Sequence, residues 1–223
     1  MDNGDFIRIE FVGRLESGEI FDLTDEALAK KENIYNSNYG YKPLPIIIGE
    51  GMVIKGLDEV FLSMQIGDEK DVEIEPDKAF GNRDPSLVRV LPEKSFKEKP
   101  IQGMIVDFGN LKGRVQSINA GRVRVDFNNP LSGKKLKYHI KILEQITDTE
   151  NQVKAVIEYF GGDADIIIKD GVVDVHEIPK KQGKDELRMS PPLKKRISEI
   201  ILKNMKDLNE VHFVEVFKQT PQK

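Results

Sequence analysis

The chain has no cysteine and no tryptophan. Without thiols there is no disulfide, no thiolate nucleophile and no cysteine-held zinc or iron–sulfur centre, and such a composition suits a reducing compartment. Nowhere do about 18 consecutive apolar residues occur, the length a helix needs to cross a bilayer. The opening MDNGDFIRIE carries neither the basic start nor the apolar run of an export signal. A cytoplasmic protein with no membrane partner is the expectation. KDEL at Lys184 to Leu187 is internal, where a retention signal is not read. Positive charge is not in excess either: 34 Lys and Arg against 38 Asp and Glu leave −4, so the average surface does not attract nucleic acid.

What is present is a chain of 223 residues, long enough for more than one core, with 32% charged side chains in the manner of heat-adapted proteins. From Asp5 to Leu15 apolar and polar residues alternate, which predicts a half-buried strand, and ESGE at Glu16 to Glu19 turns it into a hairpin with Ile20 and Phe21. A short helix follows, capped by Thr24 or Asp25, and Pro43 and Pro45 end the polar stretch behind it. Then come a strand at Ile46 to Ile48, a short helix from about Val53 to Met64, and a strand stopped by Pro76. After Pro85 the texture is short strands with Gly and Asn turns, including Gly113 to Ile118 and Arg122 to Phe127 joined by Asn119-Ala120-Gly121. From Asp148 the order is helix, strand, strand, helix, strand, with Asp170-Gly171 as a hairpin signal and Pro179 to Pro192 as the most loop-like stretch.

The stretch IIIGEGMVIKGLDEV, Ile46 to Val60, tests two phosphate readings. A dinucleotide fingerprint fails because the third glycine position holds Ile54, and a phosphate-binding P-loop fails because no Gly-Lys-Ser or Gly-Lys-Thr follows. What remains is a helix start with apolar Met52, Val53 and Ile54 beside free backbone N–H groups. Such a place can receive an apolar group that carries a carbonyl, and an Xaa-Pro bond has both parts.

FVGRLESGEIFD at Phe11 to Asp22, the run from Pro43 to Gly81 ending in AFG, and PLSGKKLKYHI at Pro130 to Ile140 stand in the order of the FK506-binding-protein (FKBP) family of peptidyl-prolyl cis-trans isomerases, which the chain resembles. The interruption between AFG and NPLSGKKL falls where SlyD-like and long archaeal members insert a small β chaperone domain, the insert-in-flap, and the C-terminal extension is similar to theirs. The resemblance implies an α+β fold, an antiparallel sheet wrapped on a short helix. Its domains are an isomerase domain of residues 1–85 plus 130–147, the insert at 86–129, and a mixed α/β domain at 148–223. By the same resemblance Phe21 and Tyr138 cup the proline ring, Asp22 orients the pocket through a polar network and Ile54 gives its N–H to the substrate carbonyl. Phe80 stands where the family has a tyrosine that offers a hydroxyl, and Phe11, Leu44, Val53 and Leu57 complete the walls and floor. Each has a plainer reading as core, or for Asp22 as a turn carboxylate; their joint order decides for the site.

No cofactor and no metal is implied. The three histidines, His139, His176 and His212, are far apart with no acidic cluster expected around them, and Lys194, Lys195 and Arg196 read as the solvated face of a helix. The insert has few residues with which to bury a core, so Leu87, Val88, Val90, Met104 and Ile105, with Leu91 and Ile101, are candidates for a client-binding patch or for the insert's own core. Partners implied are unfolded proline-containing polypeptides and FK506-like macrolides, with a homodimer through Val211, Phe213, Val214, Val216 and Phe217. The expected function is proline isomerisation with chaperone activity; the alternative is a holdase or scaffold whose pocket is weakened by Phe80 and Leu57.

Overall fold

A computed structural model describes residues 1–182 and 185–216. In chain order its elements are β1 (Phe6–Leu15), β2 (Ile20–Leu23), α1 (Glu26–Lys31), β3 (Leu44–Ile47), α2 (Lys55–Phe61) and β4 (Glu69–Ile74). β5 (Val88–Pro92), β6 (Ile105–Phe108), β7 (Leu111–Asn119) and β8 (Arg122–Asp126) follow, then β9 (Leu136–Gln145), α3 (Thr149–Tyr159), β10 (Ala164–Lys169) and β11 (Val172–Glu177). The last are β12 (Lys180–Gln182), β13 (Asp185–Leu187), α4 (Pro191–Asn204) and β14 (Glu210–Phe213). The fold is α+β, as expected. No described helix is long and apolar enough to cross a membrane. The chain divides into two compact units, one of Met1–Arg14, Ile20–Val72 and Tyr138–Lys223, the other of Leu15–Glu19 and Glu73–Lys137.

The main sheet has the order β2-β1-β9-β4, with β3 on β1. Alternation along β1 buries Ile7, Ile9 and Phe11, with Phe6 buried at the strand's start, and Asp25 caps α1 by accepting the Leu28 N–H at 3.0 Å. The residues from Asp148 on were expected to stand as a domain of their own. Instead α3, β10, β11 and α4 share one core with the main sheet: Phe6 of β1 and Ile47 of β3 cluster with Val153, Val156 and Ile157 of α3 and with Ile197 and Ile201 of α4. Each such fully buried side chain stabilises by about 1.5–3 kcal/mol, so the two parts depend on each other. A sequence shows the apolar stripe of α3 but not what covers it.

Within this unit β10, β11 and β14 form a sheet whose β10–β11 hairpin turns on Asp170 and Gly171, both at positive φ (51° and 80°), while β14 adds parallel to β11. Part of the loop-like stretch forms the small hairpin β12–β13. The surface expected to receive a second copy is partly spent here, because Val211 and Phe213 pack on the unit's own core and Lys194 lies over the Phe213 ring at 5.4 Å. Phe217 lies outside the described residues.

The basic cluster and two histidines also depart from expectation. Lys194 meets buried Glu177 at 3.1 Å and Arg196 lies over Phe160 at 5.2 Å, so two of the three cations are held rather than freely solvated. His139 sits between Asp71 (2.9 Å) and Glu69 (3.0 Å), and His212 between Asp174 (2.9 Å) and Glu210 (3.0 Å). Strand pairing supplies most of these carboxylates from distant sequence. Among the described residues no group of side chains is arranged to hold a metal.

The second unit carries the sheet β5-β8-β7-β6, antiparallel throughout, with the β7–β8 turn at Ala120 and Gly121 in positive φ (47° and 72°). Its core is Val106, Val115, Val123, Val125 and Phe127. The candidate patch divides: Leu87, Leu91 and Met104 pack against that core and Val88 is half-buried, while Val90, Ile101 and Ile105 remain 60%, 64% and 53% exposed.

Candidate functional site

The structure brings three of the expected aromatic residues together in the first unit. Phe21 of β2 and Tyr138 of β9 stand edge to face with ring centroids 5.6 Å apart at 87°, and Phe11 of β1 approaches Tyr138 at 6.1 Å. Such pairs add about 0.5–1.5 kcal/mol beyond area burial. β1 makes room for them by carrying Gly13, whose cross-strand partner is Asp22. A Cβ on Gly13 would lie 2.6 Å from Phe21 Cζ and 3.1 Å from Tyr138 Cε1. Apolar periodicity passes over Gly13, although a glycine inside a strand is the usual mark of a close approach.

Thr24, a buried polar residue, fixes the floor of this arrangement: its hydroxyl accepts the Phe11 N–H at 2.9 Å and donates to the Phe11 carbonyl at 3.3 Å. Phe21 and Asp22 also line a cleft of about 270 Å³ closed by Ile34, Tyr39 and Tyr41. Tyr39 donates to Asp22 Oδ1 at 2.6 Å, and Tyr35 and Tyr39 both pack on Tyr41, at 5.4 and 4.8 Å. Burial pushes the pKa of the Asp22 carboxyl up, and the Tyr39 hydroxyl and Leu23 amide pull it back. Burial, with the Asp22 charge second, raises that of the Tyr138 hydroxyl, which therefore stays protonated. The polar network expected around Asp22 thus has a named donor, from a segment that reads only as polar loop. Three tyrosines between Tyr35 and Tyr41 were the available signal.

In the glycine stretch, two backbone amides are taken by the protein's own carboxylate. The carboxylate of Asp58 in α2 accepts the Gly49 N–H at 3.0 Å and a second bond from Gly51, so the loop's amides already have an anion. Ile54 is the N-cap of α2 and its carbonyl accepts from Leu57 and Asp58, while among the described residues its own N–H has no acceptor. Val53 and Ile54 are half-buried and Leu57 is buried; Leu44 begins β3, opposite Ile9. Phe80 belongs to the second unit, where it is 36% exposed and its carbonyl accepts from Ser132 Oγ at 2.9 Å. A larger cleft of about 870 Å³, lined by Arg8, Lys42, Glu158 and Asp165 among others, is polar and holds none of the expected site residues.

Comparison with known proteins points to the same family. Residues 1–104 match the family model described as FKBP-type peptidyl-prolyl cis-trans isomerase, and residues 89–131 match that of the FKBP26 IF domain. The short-type peptidyl-prolyl cis-trans isomerase of Methanocaldococcus jannaschii is 32% identical over 142 residues, 62% of this chain and 90% of the relative. The FKBP-type 16 kDa isomerase of Escherichia coli K12 is 31% identical over 110 residues, 46% of this chain and 74% of the relative. SlyD of Helicobacter pylori J99 is 28% identical over 129 residues, 55% of this chain and 70% of the relative.

Proposed function

The chain belongs to the FKBP-type peptidyl-prolyl cis-trans isomerase family, and on that premise we propose that it accelerates Xaa-Pro rotation at the Phe11, Phe21 and Tyr138 cluster, in clients held by its insert. The observation that carries this is the edge-to-face pair of Phe21 and Tyr138 over Gly13, an apolar wall suited to a pyrrolidine ring. Rotation must overcome a resonance barrier of roughly 18–20 kcal/mol. A twisted amide has less charge separation than a planar one, so a water-poor aromatic site favours it over the ground state. No bond breaks, and neither nucleophile nor general base is needed. Ile54, whose N–H is free among the described residues, is the proposed donor to the carbonyl, with Val53, Leu57 and Leu44 as neighbouring apolar surface. Asp22, held by Tyr39, keeps the rim in place.

For the insert, β5 and β6 are the edges of its sheet, and an edge strand can accept an extended client by adding a strand. Exposed Val90 and Ile105 lie on those two edges, and a cleft of about 470 Å³ lined by Phe96, Met104, Ile105 and Phe108 opens along β6. Tethering a client there raises the local concentration of its prolines.

The test is exchange NMR on a short Xaa-Pro peptide with the full chain and with Phe21→Ala. Acceleration that falls about a hundredfold in the variant, equivalent to about 2.7 kcal/mol, supports catalysis at this cluster. An intact chain that leaves the exchange rate unchanged removes the isomerase reading and leaves the holdase, which the apolar Leu57 and Phe80 at family positions with polar-edged aromatics would favour.

A further inference from the structure

The turn that delivers Ile54 is gripped from two directions. From α2, Asp58 takes the amides of Gly49 and Gly51. From the C-terminal segment, the Tyr159 hydroxyl at the end of α3 donates to the Met52 carbonyl at 2.6 Å, and Lys203 of α4 meets Glu50 Oε2 at 2.7 Å. The Met52 side chain meanwhile packs against the core that α3 and α4 build with Phe6 and Ile47, and its sulfur accepts the Ile47 N–H at 3.2 Å. Tyr159 is itself held, its ring standing edge-on to Phe160 at 5.0 Å and 90°, with Arg196 of α4 over Phe160.

These contacts converge one peptide away from the proposed donor. The Met52 carbonyl belongs to the peptide joining residues 52 and 53, and the Ile54 N–H to the next. Fixing the first plane leaves only the Val53 dihedrals to orient the second. Burial raises the pKa of the Tyr159 hydroxyl, so it remains a proton donor across neutral pH. The Lys203–Glu50 pair contributes little because Lys203 is 66% exposed; Tyr159 is the stronger member. Neither matched family model extends past residue 131, so this support comes from a part of the chain outside both.

We propose that Tyr159 is a positioning residue for the isomerase site, and that α3 and α4 form a brace through which the C-terminal segment sets turnover by holding the Met52–Ile54 turn. The proposal rests on the reading of Ile54 as the carbonyl donor. A donor that must be aimed at a twisting amide affects the transition state more than initial binding, so the brace acts on kcat before KM.

The experiment uses the full chain and compares wild type, Tyr159→Phe and Ile166→Val, the last a small deletion in β10 within the core that Met52 packs on, which removes no hydrogen bond to the turn. Xaa-Pro exchange is measured with kcat and KM separated, alongside backbone amide hydrogen exchange. Tyr159→Phe is expected to lower kcat about three- to tenfold, the range of one hydrogen bond, with KM nearly unchanged and faster exchange confined to residues 49–54. Ile166→Val loses comparable stability and keeps kcat. An active wild type with unaltered kcat in Tyr159→Phe, or a loss of kcat matched by Ile166→Val, overturns the brace while leaving the isomerase intact. An inactive wild type overturns the isomerase reading and the turnover claim with it.

Discussion

Tyr39 donates its hydroxyl to Asp22 at 2.6 Å, placing a loop tyrosine on the carboxylate next in sequence to Phe21. The pKa of Asp22 is pushed up by burial, so in the folded chain its ionisation is a cost that appears as pH rises above the ordinary value of 3.8. Tyr39 offsets part of that cost. Tyr39→Phe is expected to lose about 1 kcal/mol at pH 7, after allowing for solvent at this half-exposed pair. Below the ordinary carboxylate pKa Asp22 is protonated in both states, and the gap between variant and wild type narrows. Urea unfolding at pH 7 and at a pH below 3.8 measures this; an equal gap at both would show that the hydroxyl does not act through the carboxylate.

Gly13→Ala forces a methyl to within 2.6 Å of the Phe21 ring. The aromatic pair must separate or β1 must shift, at a cost of about 1–3 kcal/mol for overpacking. The isomerisation rate should fall, as it does in Phe21→Ala, because the wall itself moves. A crystal structure of the variant checks the displacement and peptide exchange checks the rate; full activity would mean that the pair is not the proline wall.

On the insert, Val90 and Ile105 are exposed, so replacing both with Lys should alter its stability by less than about 0.5 kcal/mol each. Isomerisation of a short peptide should not change. Suppression of aggregation of a refolding protein should drop several-fold. Undiminished suppression would send the search for a client surface elsewhere.

His212 lies between Asp174 and Glu210, and hydrogen bonds to these carboxylates raise its pKa above 6.5. The favourable contribution of the protonated ring is fully present below the unfolded pKa and is lost as pH rises through the higher folded one. The effect is small because the ring is exposed. An NMR titration should place the His212 midpoint above the unperturbed value, and His212→Asn should remove that part of the pH dependence of β14 amide protection.

The turns and caps were legible because their chemistry is local. Asp25 caps α1 through its own next residues, and Asp170-Gly171 and Ala120-Gly121 adopt the positive φ that a tight hairpin demands. Alternation in β1 likewise shows which face of the strand is buried. The aromatic site was legible only through the joint order of Phe11, Phe21 and Tyr138, since each alone reads as strand core.

The sequence by itself therefore determined most of the strands in the first 127 residues, the cap of α1, the hairpin turns and the strand texture of the insert. Tertiary structure alone decided that residues from Asp148 on share a core with β1 and β3, that Tyr39 reaches Asp22, and that Tyr159 reaches Met52. It also brought Asp174 to His212. Dihedral preference and apolar periodicity act over a few residues and can be read along the chain. A hydroxyl's partner 107 residues away is selected by which surfaces pack, and that is settled only when the whole chain has buried its apolar faces.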